Sequence, residues 1–194
     1  MMYFTFVQAL VLLLLFLVPL IRRIRGRAGL PATAGLALLA LYTILLVKTA
    51  FFPLVWDPAF GEAGPPRING IPLRTILDIV RHTAPMTALR QIGGNLLLLA
   101  PLGLLAPLAF PRLRTAGRSF GLVLAAAVGI EAVQLLLSLL TGVPNRVVDI
   151  DDVLLNLLGG MAGYLAYFWF FRKRLARSSA AGGGNPPDGG AAAG

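Results

Sequence analysis

SFGLVLAAAVGIEAVQLLLSLLT, residues 119–141, carries one ionisable side chain, Glu131, in an otherwise apolar run. As a helix rising 1.5 Å per residue, such a run reaches across about 30 Å of hydrocarbon. Lipid holds no water to satisfy open backbone groups, so a helix is the expected form. Four further segments repeat the pattern: about Tyr3–Ile21, Thr33–Phe52, Ile92–Phe110 and Asp151–Phe171. Composition agrees. The chain of 194 residues is 57% hydrophobic and 13% charged, and a soluble domain carries roughly twice that charged fraction. The expected fold is all-α, a polytopic integral membrane helix bundle of about five transmembrane helices.

The net charge is +9. The basic residues sit in short clusters beside apolar runs, which marks membrane topology rather than nucleic-acid binding. Arg22, Arg23, Arg25 and Arg27 follow the first segment, so it reads as a membrane helix and not as a signal peptide, whose charge precedes its apolar core. With the N-terminus outside, the cytoplasmic segments hold eleven basic residues and the outer loops five. That ratio predicts an outside N-terminus and a cytoplasmic C-terminus in the bacterial inner membrane. Lys48, inside the second segment, reads as a snorkelling residue. No cysteine is present, which excludes thiol catalysis, cysteine-held zinc and disulfides.

Residues 53–91 form a longer connection. Within it Leu73, Ile76, Leu77 and Val80 share a helical face, with Arg74, Asp78 and His82 opposite. The pattern predicts a short helix lying in the membrane interface. His82, the lone histidine, reads as a polar-face residue. Segment three contains Pro101 and Pro107 as expected kinks. Residues 1–32 form a first helix with its basic loop, 33–173 the main membrane domain, and 174–194 a Gly-, Ala- and Pro-rich tail expected to be disordered.

Polar side chains at membrane depth are costly, and usually face a bundle interior. Glu131, Gln134, Ser138 and Thr141 make one stripe on segment four. Glu131 lies roughly 15 Å below Thr141. Gly121, Ala125, Gly129 and Ala132 make another, nearly opposite, and small residues permit close helix approach. Segment four is therefore expected at the centre. Segment five carries Asp149, Asp152, Asn156, Gly159 and Gly163 at matching spacing. Gln91 and Asn95 stand near the start of segment three, and Arg146 lies in the loop between segments four and five. A short loop makes those two segments antiparallel neighbours. Asn95, Glu131, Gln134, Arg146, Asp149, Asp152 and Asn156 are thus expected to converge in the outer half of the membrane as a binding site.

These residues carry a resemblance. Glu131-x-x-Gln134, followed by Arg146-x-x-Asp149-x-x-Asp152-x-x-x-Asn156-x-x-Gly159-x-x-x-Gly163, resembles the C-terminal signature of the VanZ-like family. Asn69-x-x-Pro72-Leu73 looks like the family's Asn-x-x-Pro-Phe segment, with Leu73 where Phe is common. Asn95 followed by Pro101-Leu102-Gly103 is similar to its third membrane segment. The resemblance spans roughly residues 35–170. It implies a membrane-helix fold and a contribution to resistance against the glycopeptide teicoplanin, as in the family's namesake. It supplies no reaction.

Plainer readings stand beside the functional one. Glu131 and Gln134 serve equally as interhelical hydrogen-bonding groups. Asp149, Asp151 or Asp152 suits a helix N-cap, with Arg146 as an ion-pair partner. Arg146 also suits a phosphate or carboxylate. The three aspartates as Mg²⁺ ligands are a minor reading, and neither a metal nor a cofactor is expected. The expected partners are membrane lipid and a lipid-linked cell-wall precursor or glycopeptide. An intramembrane enzyme, with Glu131 as acid or base and Arg146 as charge stabiliser, is the competing class. A structural partner of another membrane protein is the third.

Overall fold

The computed structural model describes residues 3, 5–26, 29–55 and 63–172. Six α-helices account for most of them: α1 (Phe6–Arg25), α2 (Leu30–Phe51), α3 (Arg74–His82), α4 (Pro85–Ala109), α5 (Ala116–Thr141) and α6 (Ile150–Tyr167). Four are long and apolar enough to cross a membrane, namely α2, α4, α5 and α6 extended to Phe171. The described chain is thus an all-helical bundle with one small exception, a two-residue parallel ladder of β1 (Ile68–Asn69) with β2 (Val148–Asp149). Arg27, Lys173, Arg174, Arg177 and the Gly-rich tail lie outside the described residues.

The helix ends follow local chemistry. Pro85 occupies the first turn of α4, where its missing N–H costs nothing. Gly142 closes α5 in the left-handed conformation, φ 65°. Asp149 caps α6, its Oδ1 accepting the Asp151 N–H at 2.9 Å. Helix α4 starts seven residues before the expected Ile92. The added turns carry Arg90 and Gln91, which line a cavity.

The centre of the bundle is the α4–α6 pair. Segment four, α5, was expected there and is instead flanking. It buries only one stripe, Ser119, Val123, Ala127, Ile130, Glu131, Gln134, Ser138 and Thr141. Gly121, Ala125 and Ala132 are exposed, and a Cβ added at Gly121 or Gly129 would meet no neighbouring helix among the described residues. The close small-residue contact lies elsewhere. Gly159 and Gly163 on α6 press on the carbonyls of Leu96 and Ala100, and Gly103 on α4 presses on that of Gly160. Side-chain-free positions on both helices bring the two backbones together.

Helix α2 packs on the other flank of α4. Gly35 meets Leu108, and Leu36 and Leu39 join Leu105, Leu108 and Tyr167 in one apolar cluster. The Tyr42 hydroxyl donates to the Leu98 carbonyl at 2.7 Å, one residue from the rung that Pro101 removes. Helix α1 lies against α2, with Leu10, Leu13, Leu14 and Leu17 exposed. At the end of the bundle carrying Arg112, Arg114 and Arg118, the π-helical turn Phe168–Arg172 that continues α6 exposes Trp169 and Phe170, as in an interfacial aromatic belt.

Helix α3 runs over the expected residues and buries none of them. Thr75, Ile76 and Ile79 face the protein, whereas Leu73, Leu77 and Val80 point outward. Three of the four residues of the expected apolar face, Leu73, Leu77 and Val80, are thus outward, joined by exposed Met86 and Leu89, while Ile76 turns inward. That arrangement suits a helix lying at the interface.

Candidate functional site

Glu131 fixes the geometry. Thr141 lies ten residues further along α5, a rise of about 15 Å. Yet Glu131 Oε2 accepts the Asp149 N–H at 2.9 Å. The connection 142–149 therefore folds back down beside α5. Its backbone descends to a depth where irregular chain needs protein partners, and it has them. The Val148 N–H donates to the Arg67 carbonyl at 2.9 Å, and the ladder adds Ile68 with Val148 and Asn69 with Asp149. Asn145 clamps Val55 at two points, Oδ1 accepting its N–H at 2.7 Å and Nδ2 donating to its carbonyl at 3.1 Å.

The three aspartates diverge. Asp149 Oδ1, besides capping α6, accepts from Asn69 Nδ2 at 3.0 Å. Asp151 is fully buried and turns the other way. Its Oδ1 accepts the Leu73 N–H and its Oδ2 the Ile76 N–H at 3.1 Å. A carboxylate on α6 thus caps the N-terminus of α3. Asp152 Oδ1 accepts from Asn95 Nδ2. These directions leave the Mg²⁺ reading without a shared centre. Among the described residues no three His, Cys, Asp or Glu side chains gather to hold a metal.

Asn95, Glu131, Gln134, Arg146, Asp149, Asp152 and Asn156 all line one cavity of about 480 Å³, within the usual size for small-molecule sites. Four stretches supply them: α4, α5, α6 and the α5–α6 connection. The cavity lies at the end of the bundle that holds the C-terminus of α2 and the N-terminus of α4, away from the Arg112–Arg118 end. Two residues do plainer work. Gln134 Nε2 donates to the Ala50 carbonyl at 2.9 Å, tying α5 to α2. The Arg146 hydrogen bond goes to the Thr49 carbonyl at 2.9 Å, not to an aspartate. Asn156 is the reverse case: it is 1% exposed and its Oδ1 has no hydrogen-bond partner among the described residues.

Other lining residues were not anticipated. Arg90, Gly94 and Leu98 share a face of α4 beside Gln91 and Asn95, a four-residue spacing that appears once the helix starts at Pro85. Thr75 and Ile79 enter from α3 at i, i+4. Asn69 and Asp151 hold the site together: Asn69 Nδ2 also reaches Thr75 Oγ1 at 2.8 Å. Only the family-like segment pointed to Asn69.

Fold and site together define a helical membrane protein with a polar cavity at one end of its bundle. The family model for VanZ/LLP1 matches residues 39–172, a stretch that contains every residue lining the cavity. The chain belongs to the VanZ/LLP1 family. No curated protein and no solved structure matches it.

Proposed function

We propose that the cavity receives the polar part of a cell-envelope molecule, a lipid-linked cell-wall precursor or a glycopeptide, and that occupancy alters the access of teicoplanin to its target. The observation carrying this reading is the convergence of seven polar side chains from four separate stretches on one cavity. Polar groups at this depth are costly unless they serve packing or a ligand, and the packing bonds above engage only part of them. In a sensitive host, expression of the wild-type chain is expected to raise the inhibitory concentration of teicoplanin. Glu131→Gln keeps an oxygen for the Asp149 N–H but removes the charge, and it loses that increase while inserting normally. Well-inserted wild type that leaves susceptibility unchanged would sink the resistance role.

The reading places the protein in the bacterial inner membrane with five spans, α1 being the fifth, and with the cavity facing outward. Arginine placement supports this orientation. The chain has no cysteine, so single-cysteine variants report topology directly. Val147→Cys, at an exposed position beside the cavity, should react with an impermeant maleimide on intact cells. Ala116→Cys should react only after permeabilisation. The opposite pattern reverses the orientation and removes envelope ligands from reach.

A further inference from the structure

Resting on that reading of the cavity as a receptor for the polar part of an envelope molecule, but with a phospholipid in place of the wall precursor or glycopeptide, we propose that its occupant carries an aminoalkyl phosphate, with a primary ammonium on the cavity floor and the phosphate toward Arg90 and Arg146. The argument starts from the depth order of the lining groups. Arg90 and Arg146 are exposed and form the rim. Glu131, Asp149 and Asn156 are buried and Asp152 half-buried. Charge is therefore sorted by depth, cations outside and acids inside. The lining holds three carboxylates and two guanidinium groups. An anion alone would find its cations at the mouth and repulsion below.

The floor also needs donors. Glu131, Asp149 and Asp152 each have one oxygen engaged in the bonds described above. Their second oxygens take no further bond among the described residues, and Asn156, which lines the same cavity, adds a buried Oδ1 without a partner. A buried acceptor without a donor is costly to leave unmade. A primary ammonium brings three N–H donors and a positive charge, meeting both deficits at once. A trimethylammonium group brings the charge without donors, and a glycerol headgroup brings donors without the charge. The phosphate that follows the amine then lies where two guanidinium groups can pair with it.

The test uses delipidated, detergent-solubilised full-length protein and native mass spectrometry. Short-chain phosphatidylethanolamine, phosphatidylcholine and phosphatidylglycerol are offered one at a time, and soluble phosphoethanolamine in a fourth arm. Selective retention of phosphatidylethanolamine is expected, falling about tenfold or more in Asp152→Asn, the size of one lost hydrogen bond to a charged group. Asp152→Asn keeps the oxygen that Asn95 binds, so folding is preserved, and the headgroup series on wild type needs no variant. Binding of soluble phosphoethanolamine alone upholds the same chemistry with a soluble source. Equal retention of all three lipids, no retention in any arm, or indifference to Asp152→Asn overturns the inference. Teicoplanin susceptibility separates the two ideas: a resistance effect without amine selectivity sinks this inference alone, and amine selectivity without a resistance effect sinks only the resistance role.

Discussion

Gly159→Ala is expected to fail to accumulate as a folded membrane protein. A methyl group at position 159 would overlap the Leu96 carbonyl oxygen and crowd the Leu96 backbone behind it. Backbone cannot rotate aside as a side-chain tip can. The α4–α6 pair must separate, and the same pair holds Gly163 on Ala100 and Gly103 on Gly160. One added carbon therefore loosens a seam of three contacts. Overpacking of a well-fitted core costs about 1–3 kcal/mol, occasionally more; with backbone as the obstacle, the upper end applies. That is a large share of the roughly 5–15 kcal/mol that holds most domains folded. Gly129→Ala is the control. It has open space around it, and alanine favours a helix over glycine by about 1 kcal/mol. Size-exclusion profiles of fluorescent fusions should show loss of the monodisperse peak for Gly159→Ala and none for Gly129→Ala. Equal profiles would mean that the helix crossing is not what holds the bundle.

That contrast shows where the sequence was readable. Both glycine sets have helical spacing, and pattern alone cannot tell which meets a partner. The stripe at Gly121, Ala125, Gly129 and Ala132 looked like a packing face, yet Gly121, Ala125 and Ala132 lie exposed and a Cβ at Gly129 would meet nothing. The decisive fact is Gly103 on another helix, facing Gly160, and no period in either segment encodes that pairing. The polar stripes were legible for a simpler reason. Lipid penalises Glu131, Gln134 and Asn156 wherever they do not face protein, so composition and period sufficed to put them on inner faces. The descent of residues 142–149 was not legible. It depends on Ile68 and Asn69 pairing with Val148 and Asp149, a contact between distant residues in two-residue strands too short to show alternation. The pattern offered Asp151 as a cap of its own helix, an ion-pair partner of Arg146 or one of three Mg²⁺ ligands, and none of these is the role it takes. Its neighbours Asp149 and Asp152 face the cavity, while Asp151 points to α3.

Asp151→Asn should therefore be far more damaging than Glu131→Gln, although both replace a buried carboxylate by its amide. Each Glu131 bond in the structure uses one oxygen, Oε2 toward the Asp149 N–H, and a glutamine carbonyl supplies the same acceptor. Asp151 uses both oxygens, one for the Leu73 N–H and one for the Ile76 N–H. Asparagine has a single acceptor, so its NH₂ must face one of those N–H groups. The loss falls on a strained point. Leu73 sits at φ 65°, a left-handed conformation that costs a residue with a side chain about 1–2 kcal/mol, and the bond to Asp151 holds it there. The removed charge also stood at the N-terminus of α3, where the helix dipole favours an anion. A lost bond to a charged group is worth about 1.5–3 kcal/mol. Helix α3 buries none of its own residues, so little else resists its release. About 2 kcal/mol less local stability raises the open population roughly 30-fold. Arg74 and Arg81 place trypsin sites on that helix. In detergent-solubilised protein, cleavage at these two sites should accelerate by that order in Asp151→Asn and stay near the wild-type rate in Glu131→Gln. Equal rates in the two variants would show that the carboxylate on α6 does not anchor α3, and that the helix bringing Thr75 and Ile79 to the cavity is held by something else.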